Sequence, residues 1–118
     1  MMVPLADMVV VESGTSLADL IDLITGEGHS RMPVYDDTLD HVIGMIHIKD
    51  VMAVLGRGKT TSLQELIRDV IFVAPSMQVL ELLLEMRAKR THMALVVDEF
   101  GGVDGLLTIE DLVEEIVG

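Results

Sequence analysis

The sequence contains no cysteine. It therefore has no disulfide framework and no thiolate metal site, which fits a reducing compartment. It has no tryptophan, one tyrosine and two phenylalanines, so its core must be aliphatic. Positive charge is scarce: 8 Lys and Arg stand against 20 Asp and Glu, a net charge of −12. A general nucleic-acid binder needs a basic face for phosphates, and this balance argues against one. Long hydrophobic runs are missing too. The longest stretch without a charge, Val70 to Leu80, is eleven residues with Pro75 inside it, well short of the roughly 20 that a membrane helix needs. No basic segment precedes an apolar one at the start, so no signal peptide is visible. The opening Met-Met-Val-Pro and the end at Gly118, just after a predicted helix, suggest a module cut from a longer chain. The parent could still be a membrane protein.

Half of the 118 residues are hydrophobic and the mean hydropathy is +0.50, which argues for an ordered domain with one core. So apolar a composition hints at a surface that a partner buries. Nine methionines suit irregular core gaps and adaptable interfaces.

Taken in order, Met8 to Val11 is a predicted strand after an irregular lead-in. Thr15 is a candidate N-cap with Asp19 in the first turn. Leu17, Leu20, Ile21 and Ile24 recur at helical spacing, and Gly26 and Gly28 close the helix. Met32–Tyr35 and Val42–His47 read as strands joined by a turn at Asp36-Asp37, and a short helix over Lys49–Leu55 stops at Gly56. Residues 57–62 form a polar linker, and Leu63–Arg68 is a single helical turn. A strand then falls at Val70–Val73 and a helix begins at Pro75-Ser76, with Val79, Leu82, Leu83 and Met86 on its apolar face. Strands at Met93–Val97 and Val103–Leu107 flank a turn opened by Asp98, and the last helix spans Ile109–Val117.

The second half repeats the first. An offset of 61 places Ser30-Arg31-Met32-Pro33-Val34 on Thr91-His92-Met93-Ala94-Leu95, and Gly44 to Asp50 on Gly105 to Asp111. The expected fold is α+β: two β-α-β-β-α repeats, 1–56 and 63–118, packed about a pseudo-twofold axis. Either half alone is small enough to be marginal.

Several motifs suggest chemistry and fail. Gly58-Lys59-Thr60 ends like a phosphate loop, but Ala53 stands where the first Gly is needed. Gly26-Glu27-Gly28 starts like a dinucleotide fingerprint, but Arg31 replaces its last Gly. Asp98 could open a calcium loop, but Phe100, Gly102 and Val103 occupy key positions. The four histidines form no i, i+4 metal pair. No nucleophile has an evident base, so an enzyme is not expected, and no metal is expected to be held by protein alone.

Thr108 and Asp111 remain. A hydroxyl and a carboxylate three residues on, at the start of a helix, make a cap. The same pair could grip a diol such as a ribose.

The duplicated unit resembles a tandem pair of cystathionine-β-synthase (CBS) domains, a Bateman module, over almost the whole chain. Met2-Val3-Pro4, His29 to Tyr35, His92 to Gly102 and Gly105 to Asp111 further resemble the CorC/HlyC family of magnesium and cobalt efflux, or hemolysin-like, membrane proteins. That resemblance implies a cytoplasmic regulatory module at the inner face of the cell membrane. It also implies a membrane transport domain elsewhere in the full-length chain, and a flat homodimer. The implied ligand is an adenine nucleotide, ATP or AMP, with Mg²⁺ accompanying it. Thr108 and Asp111, with Ile109 between them, match the family's ribose-binding Thr/Ser-x-x-Asp. Arg31 matches a phosphate-reaching position, and Val3 and Pro4 match a segment lining the base pocket.

In the first half His47 stands in the hydroxyl position before Asp50, which puts a second site (His47, Asp50, His92) in doubt. Asp50 is expected to cap its helix, and His92 to be a hydrogen-bonded structural histidine. Because a chain of charge −12 repels a free triphosphate, binding is expected to depend on Mg²⁺. The rival expectation is a purely structural dimerisation module with no nucleotide.

Overall fold

A computed structural model describes residues 2–27, 30–57 and 62–118. Gly28, His29 and the Gly58-Lys59-Thr60 segment lie outside the described residues. The chain forms two compact units: Val9–Asp69, and Val70–Gly118 together with the segment up to Met8.

In the Val70–Gly118 unit, strand β5 (Ile71–Val73) runs parallel to β6 (Met93–Val97), and β6 is antiparallel to β7 (Val103–Thr108). Parallel neighbours need a crossover connection, and α3 (Val79–Lys89) supplies it. The β6–β7 turn is held by Asp98, whose Oδ1 accepts from the Phe100 and Gly102 amides at 2.9 and 2.8 Å. Helix α4 (Ile109–Val117) follows β7 directly. The aliphatic faces of these elements meet in a core of Ile71, Val73, Leu82, Met86, Ala94, Val96, Leu107 and Leu112. Met93 is fully buried as well.

The Val9–Asp69 unit repeats the scheme. Strand β2 (Val11–Glu12) is parallel to β3 (Arg31–Asp36), with α1 (Leu17–Glu27) between them. Strand β4 (Thr38–His47) is antiparallel to β3 and leads into α2 (Ile48–Arg57). A short 3-10 helix, Leu63–Leu66, closes the unit. Val11, Leu20, Met32, Val34, Ile46 and Val51 are the centre of its core. The element pattern is the α+β duplication that the sequence repeat implies.

Local boundaries differ from those expected of the sequence in several places. The first strand is Val11–Glu12, later than Met8–Val11. Ser16, not Thr15, caps α1, its Oγ accepting from the Asp19 amide at 3.2 Å. Helices α1 and α2 each run one residue past the first glycine expected to close them, to Glu27 and Arg57, a shift within the fraying of helix ends. Strand β4 starts at Thr38 because Asp37 alone, at φ +68°, turns the chain. Pro75-Ser76 forms a turn rather than a helix start: the Met77 amide donates to the Ala74 carbonyl, and α3 begins only at Val79.

The compact units also divide the chain differently from the sequence repeats. A two-residue strand, β1 (Val3–Pro4), lies at the start of the first repeat but pairs with β7 of the second, Val3 opposite Leu106 and Pro4 opposite Gly105. Arg68 lies near the start of the second repeat but bridges Met45 on β4 of the first, through amide–carbonyl bonds of 2.8 and 2.9 Å in both directions. Met45 and Leu106 are equivalent at the offset of 61, so Arg68 and Val3 occupy equivalent places.

Both approaches rest on glycine. A Cβ on Gly105 would collide with the Val3 carbonyl oxygen, and one on Gly44 would lie 2.6 Å from the Arg68 carbonyl oxygen. Among the described residues, no helix is long and apolar enough to cross a membrane.

The glycine requirement is testable in urea. Gly105→Ala and Gly44→Ala should each destabilise the fold by about 1–3 kcal/mol, the usual cost of forcing atoms into a packed site. Gly26→Ala and Gly56→Ala, with open space around the new methyl, should be neutral or stabilising. Equal midpoints for all four variants would contradict the close approach.

Candidate functional site

Strand β7 ends at Thr108, and α4 starts on the next residue. The Thr108 Oγ1 accepts from the Asp111 amide at 3.3 Å, and Asp111 Oδ2 accepts from the Thr108 amide at 3.3 Å. This is a reciprocal capping box, so the structural reading of the pair holds. It does not use up their capacity. The hydroxyl proton of Thr108 and the second carboxylate oxygen of Asp111 have no partner among the described residues. Both side chains are half-buried, so these groups are oriented yet reachable.

The same unit carries an apolar cavity of about 290 Å³, near the lower end of ligand pockets. Met2, Val73, Met77, Val96, Leu107 and Leu112 line it, with Asp104 as its charged residue. Leu107 and Leu112 bracket Thr108 and Asp111 in sequence, and Met2 adjoins the Val3–Pro4 strand. The Ile109 amide donates to the His92 carbonyl at 3.0 Å, tying the head of α4 to the start of β6. The fold thus brings Val3, Pro4, His92, Thr108, Ile109 and Asp111 into one unit. The His92 imidazole is exposed and makes no side-chain hydrogen bond among the described residues, so the expected structural hydrogen bond is absent.

Arg31, His47 and Asp50 belong to the other unit. Arg31 sits opposite His47 in the β3–β4 register. His47 caps α2 by accepting the Lys49 amide on Nδ1 at 3.0 Å. With Nδ1 as acceptor, a neutral imidazole carries its proton on Nε2. Asp50 is not a cap, contrary to expectation. Its two oxygens take the Nε and Nη2 of Arg68 at 2.6 and 2.7 Å, a bidentate pair of the strongest geometry available to these groups.

Burial, and then the positive charges of Arg31 and Arg68, hold the His47 pKa below its ordinary value. The Arg68 hydrogen bonds hold the Asp50 carboxyl below its ordinary range, and Asp50 in turn raises Arg68. The two halves are therefore chemically unlike at equivalent positions: one oxygen of Asp111 is engaged by a backbone amide, both oxygens of Asp50 by a cation.

Sequence reasoning missed Arg68. No sequence signal marks it: at the offset of 61 Arg68 falls on Asp7, and only its pairing with Met45 puts it in the place of Val3. Among the described residues, no group of three His, Asp or Glu side chains is placed to hold a metal ion.

Two β-α-β-β-α units with a Thr-x-x-Asp at one strand–helix junction define a tandem CBS pair. Residues 2–57 and 63–118 each match the CBS domain model. A protein described as possible hemolysin C from Rickettsia akari (strain Hartford) is 52% identical over 118 residues, covering 99% of this chain and 39% of the relative. The CBS domain of the bacterial CNNM/CorC family Mg²⁺ transporter in complex with ATP superposes with a TM-score of 0.86 at 39% identity, covering 99% of this chain and 84% of that one. A CBS-domain pair with bound AMP from Klebsiella pneumoniae gives 0.84 at 27% identity, covering 100% and 95%. The chain belongs to the CBS-domain family, as a tandem pair of the CorC and hemolysin C type. It spans about two fifths of the length of the curated relatives it matches.

The shifted groups fix the sign of the acid response. A pKa lowered on folding means that the unfolded chain binds more protons as pH falls, so stability is lost on acidification. His47 contributes above its ordinary value of about 6.5, and Asp50 above about 3.9. Each contribution fades as pH drops through the folded value. Melting curves should show that His47→Gln flattens the loss of Tm just below neutrality, and that Asp50→Asn flattens the loss at the acid end. Unchanged profiles in both variants would contradict these assignments.

Proposed function

We propose that this chain is the regulatory adenine-nucleotide-binding module of a larger CorC-type magnesium and cobalt efflux membrane protein. In this reading it lies at the cytoplasmic face and controls the transport domain of the same protein. The observation that carries the reading is the spare hydrogen-bonding capacity of Thr108 and Asp111 in a unit that also holds an apolar cavity. A ribose diol would donate to the free Asp111 oxygen and accept from the Thr108 hydroxyl. The capping bonds keep both groups in place, so little ordering cost remains for binding. The cavity walled by Val73, Met77 and Leu112 suits the flat apolar base, next to the segment carrying Val3 and Pro4. The ATP and AMP bound by the structural relatives support the ligand class.

Mg-ATP fits the electrostatics better than free ATP. Asp111, Glu114 and Glu115 surround one open hollow, and the chain as a whole carries −12. Magnesium on the phosphates offsets that repulsion and needs no protein cage. No bond is broken in this scheme. The nucleotide acts by binding one arrangement of the module more tightly than another.

A second reading has its own observation. Val113, Ile116 and Val117 on α4, and Met52 and Leu55 on α2, are exposed apolar side chains. They favour association into a homodimer, and the module could be purely a dimerisation element.

Thermal-shift screening of AMP, ADP and ATP, each with and without Mg²⁺, tests the proposal. A ligand selective for the folded state raises the apparent Tm. The largest rise should come with Mg-ATP, and EDTA should remove most of it. Asp111→Ala should weaken binding by about tenfold or more, the loss of charged hydrogen bonds, while the oligomeric state is retained. Equal shifts for natural chain and variant would favour the dimerisation reading.

A further inference from the structure

The two strand–helix junctions are copies, yet only one offers free groups. At the second, Val3 lies opposite Leu106 and leaves Asp111 open. At the first, the equivalent place opposite Met45 holds Arg68, whose guanidinium takes both oxygens of Asp50. We propose that Arg68 is a built-in occupant of the first junction, a specificity-determining residue that limits the module to one nucleotide per chain.

The Arg68 side chain is anchored rather than loose. Its backbone exchanges two hydrogen bonds with Met45, and Gly44 is bare so that this approach is possible. From that position Nε and Nη2 form the fork geometry that a carboxylate prefers. A ribose seeking Asp50 would meet two oxygens that each already hold a guanidinium N–H. It would also meet an imidazole whose Nδ1 already accepts from Lys49, where Thr108 offers a hydroxyl. The low carboxyl pKa of Asp50 keeps the pair ionised across the neutral range. Asymmetry of ligation is thus written by the chain segment that opens the second repeat, not by the Thr-x-x-Asp motif alone.

This inference rests on the nucleotide reading of Thr108 and Asp111, and calorimetric titration with Mg-ATP separates the two. The natural chain should bind one equivalent. The variant Arg68→Val with His47→Thr, which copies the second junction onto the first, should bind two, and adding Asp50→Asn should return it to one. Because Arg68 is 44% exposed, the single variant Arg68→Gln is a conservative companion and should show a second, weaker binding event. If the natural chain binds none and the opened variant binds one, the inference stands and the reading of Thr108 and Asp111 fails. If the folded variants bind no more than the natural chain does, Arg68 is not an occupant and the inference is overturned.

Discussion

Two close backbone approaches hold the architecture together. The carbonyl of Val3 comes against Gly105, and the carbonyl of Arg68 against Gly44, at glycines that are equivalent in the repeat. In each case a segment near the start of one repeat adds to the sheet of the other. Neither repeat is then a complete unit by its own sequence. This has a thermodynamic consequence, because a half of this size buries too little surface to be comfortably stable alone. The exchange gives each sheet an extra bonded neighbour beside the strand that leads into its functional helix.

The same exchange makes the halves different. What the exchanged segment carries decides what happens at the head of the following helix. Val3 is small and neutral, so the Asp111 carboxylate has capacity beyond its cap. Arg68 is long and charged, so the Asp50 carboxylate is matched by a guanidinium. Local electrostatics agree: Arg31, Arg68 and Lys49 all act on His47 in a chain otherwise dominated by acids. A duplicated fold thereby carries one junction whose carboxylate has spare capacity and one whose carboxylate is paired with a guanidinium, without any change in the backbone scheme.

Much of this was legible in the sequence. The offset of 61 exposes the duplication, helical spacing at Leu82 and Met86 marks a buried face, and Thr108 with Asp111 marks a capped helix start. The resemblance to CBS pairs, carried by residues such as Gly105 to Asp111, is upheld by the family match. Other features were out of reach for physical reasons. A two-residue strand such as Val3–Pro4 has no periodicity to read, and its pairing with β7 is non-local. Asp50 looked like a cap because its partner, Arg68, is 18 residues away. The Pro75-Ser76 turn was misread because a proline–serine pair suits a turn as well as a helix start. The apolar cavity draws on residues from Met2 to Leu112, so no single stretch announces it.

The central claim is that the Thr108–Asp111 junction, and not its copy at His47–Asp50, takes the nucleotide. Amide chemical shifts followed by NMR during a Mg-ATP titration test it most directly. The account predicts saturable shifts at Thr108, Ile109 and Asp111, with His47, Lys49 and Asp50 unmoved at the same concentrations. Equal perturbation of both junctions, or movement at neither, would contradict it.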